Sequence, residues 1–500
     1  MLADLLFGVH LWTALAVVAG VYYFLVRPKT AAGFPVSSAT PAELQQDARR
    51  VITESLAKSG GAPVIVRRAH DTKLLLPASL AGWVKSNRDL DHPQHVREDY
   101  FAGLPGFEAN TILHGDETAK RMITTKLGQN DSIMAAMNAS LGRALDLLWG
   151  SAGDWHAIDW NSDTTGVIAR AASAVFVGPE KCDDAEWLGL IQSYVGGYFA
   201  SVAALHNYPV WARRLAHRFL LPGSKACREI LPRARAIIDE VASKRRREAE
   251  EATRQGKKAP AYNDAIEWSQ RAAGNNGPVD LGGLQLSLAM AALLTTSEML
   301  RAVLVDIARH TELVEPLRNE IEAQIKAHGI SVAATNNMVL LDSVLKESQR
   351  LASGLVVLER TALRDTRLPS GQLVPRGTHL MVDSTGLWDP AIFPDPERFD
   401  GYRFLRSRER DPSSSAGNQF VQSGPNYHVF GGGKFICPGR FFAANELKLV
   451  LAHILLKYDV RLAKECGNTQ PLLHGVYAMV NPTVKFEVKR RKDGAANTFF

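Results

Sequence analysis

Cysteine is scarce in this chain. Its 500 residues include four, Cys182, Cys227, Cys437 and Cys466, far apart and without a Cys-x-x-Cys pair. That distribution argues against a disulfide framework and against a structural zinc site. Charge of one sign is also lacking: 58 basic and 52 acidic residues leave a formal +6. No basic stripe interleaved with aromatics is present, so nothing points to nucleic acid as a partner. No internal repeat is evident, which excludes a solenoid or propeller array. Nucleotide fingerprints are missing too. In the glycine-rich stretch at 430–440, a dinucleotide loop would need glycine where Ile436 stands, and a P-loop would need Ser or Thr where Phe435 stands.

Hydrophobic residues are plentiful, at 46%, enough for a sizeable core. Residues 5–26 form an apolar run broken by His10 and Thr13, just long enough to cross a bilayer at roughly 20 residues. Trp12, Tyr22 and Tyr23 lie toward its ends, as interfacial aromatics do. Arg27 and Lys29 follow it and Asp4 precedes it, so the charge bias predicts a cytoplasmic C-terminal body. The alternative, a cleaved signal peptide, lacks a basic leading region and a clear small-x-small cleavage site here. The expected organisation is an anchor over 1–26, a linker over 27–40 and one large domain over 41–500.

Apolar positions at helical spacing predict a helix within 41–58, with short strands at 64–66 and 74–76 and a helix over 78–86. The chain then reads as mostly helical to about 353. The charged run at 243–251 reads as a solvated helix end. Strand-like segments return between 368 and 382, turning at Gly371 and Gly377. Residues 411–417 form a Ser-rich loop. The fold class is mainly α with a minor β region.

The most informative residue is Cys437. It follows Phe430-Gly431-Gly432-Gly433-Lys434-Phe435-Ile436 and precedes Pro438-Gly439-Arg440, where an amphipathic helical pattern begins. A cysteine at a helix N-terminus meets orphan N–H groups and the positive dipole end, which favour a thiolate. The glycines allow a tight turn and close approach to a flat ligand. A buried structural thiol is the plain alternative for any one cysteine. The pattern Phe-x-x-Gly-x-x-x-Cys-Pro-Gly resembles the haem-ligand loop of the cytochrome P-450 family. Its continuation to Lys448 is most similar to fungal members that oxidise terpenoid and indole-diterpene metabolites. The resemblance implies a triangular, mainly helical haem domain, haem b with Cys437 as axial iron ligand, and cofactor contacts from Phe430, Gly431 and Gly439.

Three further motifs carry the resemblance. Glu347 and Arg350 share a helix face at i, i+3; in the family this pair is buried and completed by a downstream arginine, the position taken here by Arg398 in Pro396-Glu397-Arg398-Phe399. The apolar helix at 284–305 contains Thr295, matching the threonine that organises proton delivery. By itself a mid-helix Thr-Thr-Ser run is explained by hydroxyls bonding back to carbonyls one turn earlier. The family's acid before that threonine is Leu294 here, and its usual glycine is Ala292. Haem propionates need cationic partners; Arg360 and Arg121 occupy the corresponding positions. The Arg or His common two residues before the cysteine is Phe435, a loss for which Lys434 would compensate.

The resemblance implies monooxygenation by O2 with electrons from NADPH. With no nucleotide site in the chain, a separate membrane-bound reductase is implied, with cytochrome b5 as a further donor. The basic rim of Arg121, Lys126, Lys434, Arg440 and Lys448 would be its docking surface, or else plain solvated surface. The anchor implies a lipophilic substrate at the endoplasmic reticulum membrane. Expected pocket walls are 104–112, 288–295 and 353–358, with 474–479 as a fourth. A haem-thiolate isomerase or dehydratase, and a non-catalytic membrane-anchored binding protein, are the alternatives.

Overall fold

A computed structural model describes residues 33–115, 121–128, 130–273, 279–411 and 417–492. The expected membrane anchor lies outside the described residues. The later part of the expected linker is docked: Phe34 is buried, Val36 pairs in parallel with Ile65, and Ser37 hydrogen-bonds Ser55 at 2.8 Å. Thr40 then caps the first described helix, Pro41–Gln46, with Glu43 answering in a reciprocal capping box.

Five strands form the main sheet in the order Val64–Arg67, Thr72–Leu76, His379–Asp383, Val356–Ala362, Leu90–Asp91. The pair Thr72–Leu76 and His379–Asp383 is parallel and the other pairings are antiparallel. The strand Val356–Ala362 carries a register irregularity between Val357 and Arg360, and Leu358 inside it has φ 52°. A bulge of this kind re-aims the side chains that follow it. A smaller sheet joins His156–Ile158, Phe486–Arg490 and Tyr458–Leu462, and two short hairpins complete the β portion.

The helices build the rest. Leu281–Arg309 runs through the core, begun by Asp280, whose carboxylate accepts from Gly283 N at 2.8 Å. It packs against Trp160–Phe176 and Pro222–Arg254. At the second contact the backbones nearly touch: a Cβ on Gly282 would lie 2.4 Å from Arg235 Cα, so only glycine fits. Leu281–Arg309 and Ala185–His206 are both long and apolar enough to cross a bilayer, yet both are packed within the protein.

The charged run at 243–251 departs from expectation. It continues the helix Pro222–Arg254, and Arg245 points inward. That guanidinium is buried, pairs with Asp264 and Glu180, and stacks on Tyr262 at 4.1 Å. Its length of charge hid one inward-facing position.

Candidate functional site

The Cys437 loop is a set of tight turns. Gly431 N donates to His428 O at 2.8 Å, and Cys437 N donates to Phe430 O at 2.8 Å. Gly431 and Gly433 take φ of +75° and +63°, which side-chain-bearing residues rarely adopt. Gly433 also lies against the end of helix Ala81–Ser86: a Cβ there would be 2.6 Å from Lys85 O. The helix Arg440–Lys457 begins directly after the loop, and Arg440 Nη1 returns to Cys437 O at 2.9 Å. Burial pushes the Cys437 thiol up, while the backbone N–H groups of Gly439 and Arg440 and the Arg440 charge pull it down. Those donors face the sulfur and are available to a thiolate.

Arg360 supplies the opposite charge. It is buried, its Nη1 donates to Glu359 O at 2.7 Å, and its guanidinium lies 4.8 Å over the Phe435 ring. Nε and Nη2 are buried with no partner among the described residues. Burial pushes its pKa down to about 10. A buried guanidinium with two idle donors beside the cysteine loop fits an anion such as a haem propionate. Lys434 is exposed, with Nζ 4.5 Å over the same Phe435 ring. His92, absent from the sequence-based set, joins them: its ring lies 6.1 Å from Phe435 and its Nδ1 contacts Glu359 O at 3.2 Å. Arg121 is exposed, in a segment whose Gly128 abuts Phe441 of the helix after Cys437.

The middle of the central helix carries an open stripe. Ala291, Leu294 and Thr295 are exposed in the middle of an otherwise buried helix, and the spacing places them with Glu298 on one face. Thr295 Oγ1 donates to Ala291 O at 2.9 Å, and Ser297 Oγ to Leu293 O at 2.6 Å. The back-bonding expected of a mid-helix Thr-Thr-Ser run is therefore present, and it leaves the threonine oxygen facing the stripe. Of the expected pocket walls, 353–358 is largely buried, with Leu355 fully so, whereas 104–112 alternates buried Gly106, Phe107 and Ala109 with exposed Pro105 and Glu108. The 474–479 segment is open, with Tyr477 and Met479 exposed.

Glu347 and Arg350 are fully buried and joined twice at 2.9 Å. The second arginine is Arg403, whose Nε meets Glu347 Oε1 at 3.0 Å. This corrects the assignment of Arg398. Phe399 turns inward against His310, with ring centroids 4.7 Å apart, so its neighbour Arg398 points to solvent. Arg403 also donates to the carbonyls of Pro394, Asp395 and Arg398, tying the preceding loop to the ion pair. Lys448 leaves the basic rim for a similar reason: it is buried, pairs with Asp342 at 2.7 Å and donates to Thr335 O at 2.9 Å.

The Cytochrome P450 family profile matches residues 180–490. The cytochrome P450 monooxygenase adrA of Penicillium rubens is 33% identical over 474 residues, covering 94% of this chain and 92% of adrA. The chain is a cytochrome P450. The monooxygenase hepE of Aspergillus oryzae is 35% identical, covering 89% of this chain and 82% of hepE. The fold also matches the solved structure of a retinoic acid-bound cyanobacterial CYP120A1, with TM-score 0.65 and 18% identity over 91% of this chain and 99% of that one. The cytochrome P450DA haem domain gives TM-score 0.69 and 16% identity over 93% and 99%. As a member of this family the P450 is a monooxygenase, an oxidoreductase, and its cofactor is haem held by a cysteine thiolate.

Proposed function

We propose that Cys437 is the axial ligand and that this P450 oxidises a lipophilic secondary metabolite, of terpenoid, indole-diterpene or polyketide class, by hydroxylation or epoxidation. The observation that carries the reading is the placement of Arg360, with two idle buried donors, over Phe435 of the loop that ends at Cys437. Bound haem supplies activation of O2, placing one oxygen in a C–H or C=C bond and releasing the other as water on two electrons from NADPH. Gly439 and Arg440 N–H groups hold the thiolate. Arg360 binds a propionate with Lys434 alongside, and Phe430 and Gly431 shape the loop's approach. Arg121 is a second propionate donor. Thr295 presents its oxygen to the stripe and steers protons there, a larger share of that task falling to it with Leu294 as neighbour. The apolar stripe favours an apolar substrate.

Electrons reach the site from a separate NADPH-dependent reductase, with cytochrome b5 as a further donor, through the exposed Arg121, Lys126 and Lys434 and the half-buried Arg440. Residues 5–26 anchor the protein in the endoplasmic reticulum membrane with the catalytic domain cytosolic. The segment 210–220 supports a second lipid contact: Trp211, Leu215, Phe219 and Leu220 are exposed together, beside Arg214 and Arg218.

Reduced protein under carbon monoxide tests the ligand. The long-wavelength band of thiolate ligation is expected and should be lost in Cys437→Ala; its survival there would remove Cys437 from the role. Membranes given NADPH, reductase and a panel of candidate metabolites should yield products heavier by one oxygen, or by more after several steps. Turnover without O2 or NADPH would favour the isomerase reading instead.

A further inference from the structure

We propose that Glu298 is a positioning residue that clamps the C-terminal hairpin to the central helix beside Thr295 and thereby shapes the substrate pocket. The proposal deepens, and rests on, the monooxygenase reading of that site. Glu298 lies three residues after Thr295 and four after Leu294, on the same helix face. Its carboxylate bridges two partners. One oxygen is ion-paired with Arg301, and the other accepts from Val480 N at 3.0 Å. Val480 directly follows the second strand of the hairpin formed by Leu472–His474 and Tyr477–Met479.

Arg301 makes the clamp rigid. Its guanidinium is buried and donates to Thr164 Oγ1 at 3.0 Å, Asn161 O at 2.6 Å and Thr165 Oγ1 at 2.5 Å. The helix Trp160–Phe176 therefore fixes Arg301, Arg301 fixes Glu298, and Glu298 fixes the hairpin exit. The same helix holds the next stretch of chain, since Asn161 Nδ2 donates to Pro482 O at 3.2 Å and Trp160 Nε1 to Val484 O at 2.5 Å. The hairpin leaves much of its side-chain surface open, with Leu472, Leu473, Tyr477 and Met479 each over 40% exposed, and is otherwise tied at its turn, where Leu355 N donates to Val476 O at 2.8 Å and Gly475 N to Gln45 O at 3.3 Å. A sparsely packed element takes its position from its few fixed points. At Val480 that point is a charge-assisted hydrogen bond.

Glu298→Ala removes both contacts yet leaves Arg301 three other acceptors, so the fold should hold. Glu298→Gln keeps an oxygen for Val480 N. In the full-length haem-loaded protein, hydrogen exchange in Glu298→Ala should be about tenfold faster over 477–482, the consequence of losing one hydrogen bond to a charged group, while 281–309 and 160–176 keep their protection. Glu298→Gln should restore most of it. Spectral titration with imidazole and with 4-phenylimidazole reads the pocket. Affinity for the phenyl compound should shift several-fold in Glu298→Ala and return in Glu298→Gln, with imidazole itself unmoved. Unchanged exchange at 477–482, loosening spread evenly over both helices, or equal shifts for the two imidazoles would each overturn the proposal. Absence of the thiolate band in the wild type would sink the haem reading separately, because the exchange experiment still decides the clamp.

Discussion

At the residue scale, the buried Glu347 carboxylate depends on two guanidinium groups, and the structure names the second as Arg403. Arg403→Ala strands a buried charge at a cost of about 3–5 kcal/mol, whereas Arg398→Ala, at an exposed site, should change stability by under about 0.5 kcal/mol. Retention of the thiolate-ligated carbon monoxide band through a urea titration measures both; equal losses would restore Arg398 to the role. Thr295→Val keeps the shape and removes the hydroxyl. Haem content and substrate affinity should survive, product per NADPH should fall and released peroxide should rise. Unchanged coupling would place proton delivery on water or substrate. Asp306, which accepts from Ser348 Oγ at 2.6 Å, has its carboxyl raised by burial to about 7. The folded state then binds the extra proton, so stability falls as pH rises from about 4 to about 7. Asp306→Asn stays neutral, and should cut that fall by on the order of 1 kcal/mol between pH 5 and 7 in urea midpoints. The Glu347–Arg350 pair was legible because a three-residue spacing on one helix carries it, and the tight turn before Cys437 because its glycines stand together. Arg403, Lys448 and His92 were not, because which neighbour turns inward is decided by Phe399, Asp342 and Phe435, contacts distant in sequence or set by packing.

At the element scale, the central helix was legible from 284 to 305 because an apolar run of that length has one common explanation, and it extends as Leu281–Arg309. The strand Val356–Ala362 was not, because Glu359 and Arg360 interrupt its apolar pattern. Glu359 has a buried partner instead: it meets Lys73 at 2.6 Å, and Lys73 meets Asp99 at 3.0 Å. A strand with a polar side chain satisfied by a long-range ion pair reads locally as a loop. The extra reach of the central helix begins at Gly282, where it meets the helix Pro222–Arg254 backbone to backbone. Gly282→Ala forces those helices apart, and should cost about 1–3 kcal/mol despite alanine's better helix propensity. A urea midpoint equal to or above the wild type would mean that the two helices slide apart freely at this contact.

At the scale of the whole molecule, the proposed membrane attachment has two parts. The apolar run at 5–26 is the first by composition. The exposed Trp211, Leu215, Phe219 and Leu220 form a second apolar surface, with Arg214 and Arg218 placed to meet anionic headgroups. Two attachments fix an orientation, which a single attachment leaves open. Removing residues 1–26 should therefore weaken binding to phosphatidylcholine vesicles containing phosphatidylserine without abolishing it, and added salt should weaken it further. Adding Trp211→Ser and Phe219→Ser to the truncated chain removes two aromatic side chains from lipid. At about 1.5–3 kcal/mol for each large apolar side chain buried, the remaining binding should fall at least about tenfold. The carbon monoxide band should stay intact, since both side chains are exposed and none of the described contacts of the Cys437 loop involves them. Vesicle sedimentation measures the effect. Equal residual binding by the truncated chain with and without the two substitutions would place the body's lipid contact outside 210–220, and that apolar surface would then need a protein to cover it.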